Sequence, residues 1–234
     1  MGLKMRYFDY AGSVFGYDET RPDQCAAMEA KFFANGTLNN GVTEVTGSWP
    51  PAPTVAQVQA SQIASLYQSY TSAIQTPVSY TSKGGITKTY QADAGSQSTL
   101  AKELAVYSIA GATPTGYYWV AADNTQVPFT LADLQGLTQA MGAQGWAEFQ
   151  HLQTQKTAVN DIANLPQRLA NTPYASGAEI VDGNGNVWSC TTQGTTGTTC
   201  TFPTSPTAGT TKTDGGVTWA YENAQVAMIQ SVVW

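Results

Sequence analysis

Aromatic and polar residues alternate at the start of the chain. Residues 5–17 predict two aromatic-rich strands around the turn Ala11-Gly12-Ser13, and residues 23–33 predict a short helix. Residues 35–54 are rich in turn residues and end in a proline cluster that cannot continue regular structure. We therefore expect a hairpin, a helix and then a linker.

A long segment with helical periodicity follows Thr54, which can cap its first turn. Outside its apolar stripe this segment consists almost entirely of Gln, Ser, Thr and Ala, so it has no charged face. Such a helix can pack into the core of its own chain, or it can join identical chains in a dimeric or trimeric stalk. The stripe comprises Val55, Val58, Ile63, Leu66, Tyr70 and Ile74.

Residues 78–165 predict a compact α+β unit. Two strands around a glycine turn precede a helix over residues 98–109, whose inward positions are Leu100, Leu104 and Tyr107. An aromatic hairpin with Asp123-Asn124 at its tip follows. The two predicted strands span residues 77–81 and 87–93.

Thr130 and Asp133 form a variant of the capping box and begin a second long helix that extends to about residue 165. Glycine in a helix interior costs about 1 kcal/mol relative to alanine. We therefore expect another element to pack closely against Gly136, Gly142 and Gly145.

The last quarter of the chain contains two similar polar stretches, "DGNGNVW" at residues 182–188 and "TDGGVTW" at residues 213–219. The first predicts a hairpin turn, because its residues tolerate positive φ, and the second predicts the closing strand of the same module. A calcium loop beginning at Asp182 is the alternative. Such a loop needs Gly at Val187 and Glu at Gln193, so the turn is favoured.

The chain closes with a second helical pattern over residues 223–234. Val226, Ile229 and Val233 fall on one side of it, and we expect the ring of Trp234 to be buried.

The amino-acid composition and net charge restrict the classes of molecule that the protein can bind. The 234 residues are 42% hydrophobic, enough for a genuine core, but only 11% are charged and the net charge is −6. Ten basic residues cannot form a phosphate-tracking stripe, which argues against nucleic acid and against anionic lipid surfaces. No apolar run is long enough to span a membrane and no signal peptide is evident, so we expect synthesis in the cytoplasm.

Catalytic patterns are weak. His151, the single histidine, has no motif partner, and the acidic candidates Asp93, Asp123, Asp133 and Glu148 all have turn, cap or surface roles. We expect no enzyme, no metal site and no cofactor.

The cysteines leave two alternatives. Cys25 is isolated, whereas Cys190 and Cys200 lie ten residues apart. They could form a disulfide if residues 187–192 and 199–202 pair as strands, and otherwise they are half-buried thiols.

Four aromatic residues of the last quarter are candidate binding residues. Their rings could contact a glycan or a protein partner, or they could form the core of a module too small to spare them. They are Tyr174, Trp188, Trp219 and Tyr221.

Residues 50–165 resemble a domain of unknown function common in tail-fibre and fibre-assembly proteins of tailed bacteriophages. The resemblance comprises a D-x-x-S helix start, an aromatic strand ending in Asp-Asn and a T-x-x-D-L helix start. The matching positions are Asp93, Ser96, Trp119, Asp123, Asn124, Thr130, Asp133 and Leu134.

Residues 171–221 are similar to a small β module of phage virion proteins. The similarity follows a Tyr-x-x-Gly start, an aromatic hairpin ending in cysteine, a G-T-T-G turn and a D-G-x-V-T-W strand. The matching positions are Tyr174, Gly177, Val181, Trp188, Cys190, Gly194, Thr195, Thr196, Gly197, Pro203, Asp214, Gly215, Val217, Thr218 and Trp219. The closing helix also resembles the C-terminal helix of the first family, which implies that the module is inserted before that helix.

The sequence therefore predicts an α+β fold in four parts: a hairpin and linker (1–49), a helix with a central α+β domain (50–171), an antiparallel β module (172–222) and a C-terminal helix (223–234). The resemblances imply a structural component of a tailed-phage virion, such as a tail fibre or fibre-like appendage for host attachment. The alternatives are a fibre-assembly chaperone and a capsid decoration or head-fibre protein. The implied partners are other virion proteins, further copies in a homotrimer and a host-surface glycan.

Overall fold

The computed structural model describes residues 5–45 and 52–234, and the chain divides into two compact units, Met1–Pro53 and Thr54–Trp234. Helices and several small antiparallel sheets coexist, so the α+β prediction is confirmed. Among the described residues, no helix is both long and apolar enough to cross a membrane.

The first unit is a three-stranded sheet covered by one helix. Phe8 of the central strand is fully buried and stacks on Phe32 with ring centroids 5.3 Å apart. The hairpin turn falls at Ala11 and Gly12, both at positive φ, as predicted. The sheet order is β2-β1-β5. The elements are β1 (Met5–Tyr10), β2 (Ser13–Asp18), α1 (Pro22–Phe32), β3 (Phe33–Ala34), β4 (Thr37–Leu38) and β5 (Val42–Val45).

The prediction of a linker over residues 35–54 was wrong for its first part. β5 pairs with β1, and the Nε of Arg6 on β1 lies 2.7 Å from Oε1 of Glu44 on β5. Long-range strand pairing thus overrides the local turn signals. Residues 46–51, which include two of the clustered prolines, lie outside the described residues.

The second unit joins a helical core, two small hairpins and a β module. Its elements in chain order are α2 (Val55–Ala73), β6 (Val78–Thr81), β7 (Thr87–Tyr90), α3 (Ala94–Ala110), β8 (Tyr118–Val120), β9 (Gln126–Pro128), α4 (Leu131–Ala163), β10 (Pro173–Tyr174), β11 (Glu179–Val181), β12 (Asn186–Thr192), β13 (Gly194–Thr195), β14 (Thr211–Asp214), β15 (Val217–Ala224) and α5 (Gln225–Ser231).

The helix α2 packs on α4 and α5 in the same chain. Its Thr54 cap forms a full capping box, in which Thr54 Oγ1 accepts from the Gln57 amide at 3.2 Å. Val58 and Leu66 of the apolar stripe are buried in a cluster with Leu152 of α4 and Ile229 of α5. The stripe therefore packs within the chain, which is one of the two predicted alternatives, and a trimer would have to use other surfaces.

Asp93 and Asp133 cap the next two helices. Asp93 accepts from the amides of Gly95 and Ser96, so α3 begins at Ala94 and not at residue 98 as predicted. The buried carboxylate of Asp133 bonds Thr130 in the predicted capping box and also accepts from the Lys83 amide at 2.6 Å. The start of α4 is thereby fixed to the β6–β7 turn.

The glycines of α4 differ from one another. A methyl group on Gly136 would lie 2.3 Å from the Tyr80 hydroxyl oxygen, so the predicted close packing is confirmed there. At Gly142 and Gly145 the prediction was wrong, because beyond the chain neighbours and the backbone of α4 itself no atom lies within 4 Å of such a methyl group. Both line an apolar groove of about 410 Å³ between α2, α3 and α4.

The β module lies between α4 and α5. Its main sheet has the order β11-β12-β15-β14, and β10 pairs with β13 beside it. β15 continues directly into α5, where Gln225 Nε2 donates to the Ile162 carbonyl of α4 at 2.7 Å. The C-terminal end of the module is thus held by the helical core, and at the other end the Val181 amide of β11 donates to the Pro166 carbonyl, just after α4, at 2.9 Å.

The last residues depart in part from the predicted helix. Because α5 ends at Ser231, Val233 is 66% exposed and Val232 packs on the core in its place. Trp234 is partly buried, with its ring centroid 4.7 Å from that of His151 and 6.3 Å from that of Tyr70.

Candidate functional site

Of the two alternatives for the four aromatic residues, the structure favours the module core for the two tryptophans. Trp188 and Trp219 are both 0% exposed and form the centre of the β module. Tyr221 contacts the first ring edge-on at 5.5 Å between centroids, and Tyr174 contacts the second in the same way at 5.0 Å. The four aromatic residues therefore build the module core, because few other large side chains can fill it.

Each indole N–H is bound by a buried carboxylate from a motif turn. Trp188 Nε1 donates to Asp182 at 3.0 Å, and Trp219 Nε1 donates to Asp214 at 3.3 Å. The aspartates are 4% and 2% exposed. The two similar sequence stretches therefore share one arrangement, in which a turn aspartate holds the tryptophan that follows it by five or six residues.

Asp182 forms the centre of the predicted hairpin turn. It also accepts from the amides of Asn184 and Asn186 at 2.8 and 2.9 Å and from Asn186 Nδ2 at 3.2 Å. Its oxygens are thus occupied by N–H donors, and the described residues contain no cluster of three metal-binding side chains. The geometry supports the turn over the calcium loop.

Asp214 forms a buried ion pair with Arg168, from the segment between α4 and β10. The guanidinium donates to both carboxylate oxygens, at 2.8 and 2.9 Å, and also to the Gly197 carbonyl. Burial by itself raises the pKa of Asp214, but the hydrogen bonds from Arg168, the Gly197 amide and Trp219 hold that pKa below its usual value. The pair joins three segments of the module.

The cysteines of the module are free thiols. Cys190 lies on β12, whose neighbours are β11 and β15, whereas Cys200 lies in a loop. The strand pairing on which a disulfide depended is therefore not formed. Burial raises the pKa of both thiols.

A candidate site lies in the central domain, in an open groove of about 610 Å³. One wall is a face of α3 that carries Ser96, Thr99 and Glu103, and the other is the segment 117–122 that contains β8. Gln91, Asp93, Gly95 and Asn124 close its ends.

The electrostatics of the groove are acidic. Its lining includes two carboxylates, Asp93 and Glu103, and no lysine or arginine among the described residues. Burial, together with the charge of Glu103, raises the pKa of the lining Tyr117 to about 12. Beside the groove, a hydrogen bond from Lys88 at 2.6 Å lowers the pKa of Asp123 to about 2.

The groove is lined by four positions of the fibre-like sequence pattern: Asp93, Ser96, Trp119 and Asn124. The sequence did not predict that they line one groove. Asn124 has positive φ at the predicted hairpin tip. Thr99 and Glu103 also line the groove but do not belong to the pattern, and the sequence did not predict them as site residues. The signal that could have found them is helical spacing, because Thr99 follows Ser96 by three residues and Glu103 follows Thr99 by four, which places all three on one helix face.

Comparison with known proteins gives one match. A family model described as "Domain of unknown function (DUF4376)" matches residues 57–175, a span that begins in α2 and contains both walls of the groove. No curated protein and no solved structure matches the chain. Because the matched span covers just over half of its residues, the chain belongs to the DUF4376 family.

Proposed function

We propose that this protein is a non-enzymatic structural component of a tailed-phage virion, a tail fibre or fibre-like appendage that contributes to host attachment. The observation that carries the proposal is that both chain connections of the β module are fixed: the Val181 amide donates to the Pro166 carbonyl just after α4, and Gln225 at the start of α5 donates to the Ile162 carbonyl of α4. This topology suits a protein that presents one compact module from a body anchored elsewhere.

The internal anchoring of the module supports the same role. The Arg168 pair with Asp214 ties the connecting segment after α4 to the module, and β15 leads into α5 without a loop. Neither connection is a flexible linker. A force on the helices, or a change in their orientation, is therefore transmitted to the module. The resemblance of residues 171–221 to a module of phage virion proteins points in the same direction.

The surface chemistry restricts how host attachment would work. Since both indole rings are buried, glycan contact would use the hydroxyl groups of the module surface. Exposed threonines are concentrated between residues 198 and 207. Other virion proteins, and further copies in a trimer, would contact the helical body.

Mass spectrometry of gradient-purified particles of the encoding phage tests the proposal. We expect the chain in mature particles at a fixed ratio to the other tail proteins, and immunogold labelling at the tail. Presence in the lysate but absence from the particles would contradict the proposal and indicate an assembly chaperone. Labelling on the head would indicate a decoration protein.

A further inference from the structure

One edge of β8 has no strand partner. The pairing with β9 uses odd-numbered residues, because the Phe129 amide donates to the Tyr117 carbonyl at 3.2 Å and the Ala121 amide donates to Thr125 at 2.9 Å. In an antiparallel pair the intervening residues direct their N–H and C=O groups the other way. Tyr118 and Val120 therefore direct theirs away from β9. In the part of the chain that the structure describes, no further strand pairs there.

This open edge faces the acidic groove. The residues 117–122 all line the groove, although the side chains of a strand alternate between two faces. Consecutive residues can share one groove only if the backbone edge borders it. Opposite the edge stands the helix face of Ser96, Thr99 and Glu103. The arrangement is a slot between a strand edge and a helix.

The end of the slot is fixed in place. The Ala122 amide donates to the Thr89 carbonyl of the β6–β7 hairpin at 2.8 Å, and Asp93 is occupied in capping α3. Side chains of Tyr118 and Val120 are 47% and 45% exposed beside the slot. They offer apolar contact to alternate side chains of an added strand.

We propose that this slot binds an extended peptide segment of another protein, which adds as a strand to β8 and places a lysine or arginine near Glu103. Backbone hydrogen bonds to Tyr118 and Val120 would supply affinity, as in other cases of strand addition. The carboxylates of the lining favour a neutral-to-basic segment. This inference stands whether or not the chain occurs in virions.

A second copy of this chain is a poorer occupant than a flexible segment. The β8 edge of a second copy would itself lie behind its own α3, so two such edges would meet only if the helices overlapped. A single extended strand needs only about 5 Å beside β8. A flexible tail or loop meets that requirement.

The test uses a capped octapeptide of alternating threonine and valine with a central lysine, titrated into the ¹⁵N-labelled full-length protein. We expect chemical-shift changes and slower hydrogen exchange at the amides of Tyr118 and Val120. The same peptide, N-methylated on alternate backbone nitrogens, should bind at least about tenfold more weakly, because it cannot complete the ladder. The protein is unchanged in this comparison, so folding cannot confound it.

Two variants test the charge preference. In Glu103→Gln we expect about a two- to fivefold weaker affinity for the lysine peptide and no change for a glutamine peptide. The matched control is Lys102→Gln, on the exposed side of α3 outside the groove lining, which should leave both affinities unchanged. The ¹⁵N spectrum of each variant checks its fold.

Three results would overturn the proposal. These are no shift at millimolar lysine peptide, equal binding of the N-methylated peptide, or shifts at Tyr118 and Val120 that depend on protein concentration without peptide. The last result would assign the edge to a second copy of the chain.

Discussion

The turn aspartate Asp182 provides the sharpest test of how the β module is held together. Its carboxylate is buried and accepts four N–H groups, two from the backbone and two from the side chains of Asn186 and Trp188. We expect Asp182→Ala to unfold the module well before the rest of the chain, although the change removes only a few atoms.

The magnitude follows from the donors that the change leaves behind. Trp188 Nε1 is in a fully buried residue, and an unsatisfied buried donor costs about 1–3 kcal/mol. The two backbone donors of the turn add a similar amount together, reduced by water that enters at the exposed Asn184. We expect a total loss of about 3–5 kcal/mol, a large fraction of the usual 5–15 kcal/mol of a domain.

The substitution Asp182→Asn gives an intermediate case. One amide oxygen can still accept from the two backbone amides, but the NH₂ group then faces the Trp188 indole donor. We expect a loss of about 2 kcal/mol. The matched control is Asp161→Ala, an exposed aspartate of α4, which should change stability by less than about 0.5 kcal/mol.

Urea titration of ¹⁵N-tryptophan-labelled protein measures these losses locally. The indole signals of Trp188 and Trp219 report the module, and that of Trp119 reports the central domain. A loss below about 1 kcal/mol in Asp182→Ala would refute the reasoning. A higher unfolding midpoint in millimolar calcium would instead revive the calcium loop, since a ligand of the folded state stabilises it by mass action.

Two further perturbations follow from buried contacts. Gly136→Ala should destabilise the protein by about 1–2 kcal/mol, because the Tyr80 ring must move. Gly142→Ala should stabilise it by up to about 1 kcal/mol; equal thermal shifts for the two variants would contradict this. Arg168→Met should cost about 3 kcal/mol at neutral pH, because Asp214 keeps a buried charge without its partner. Because the pKa of Asp214 is lowered in the folded protein, its contribution to stability is fully present above the unfolded pKa near 3.9 and is lost as pH falls through the lower folded pKa. Without Arg168 burial raises that pKa, so the Arg168→Met deficit in urea titrations should shrink as pH falls from neutral into this acidic range; a constant deficit would exclude the coupling.

Local signals predicted the helices and hairpins. The capping partners of Thr54 and Thr130 lie three residues further along the chain. Both helix starts can therefore be predicted from neighbouring residues. The turn at residues 182–186 and the tip at Asn124 follow from residues that accept positive φ. In each case the physical cause lies within a few residues of the feature.

The missed features depend on distant partners. β5 forms because β1 lies open beside it, and Gly136 meets Tyr80 from a strand more than fifty residues earlier. The sequence left the place of Trp188 open between the module core and its surface, because only the packed module shows which side chains surround the ring. The free edge of β8 is likewise defined by which strand fails to pair with it, a property of the whole sheet.

In the groove, the residues that belong to the sequence pattern and the residues that face the proposed peptide have different physical roles. Asp93 and Ser96 fix the start of α3, and Trp119 anchors β8 in the core, so they set the distance between the two walls. Thr99 is exposed and has no capping or core role, whereas Glu103 is half-buried and accepts a hydrogen bond from the Tyr107 hydroxyl. Substitution of Asp93, Ser96 or Trp119 would therefore alter whether the slot forms. Substitution of Thr99 or Glu103 would alter which peptide the slot accepts. Specificity within the family should accordingly reside in the helix face opposite β8.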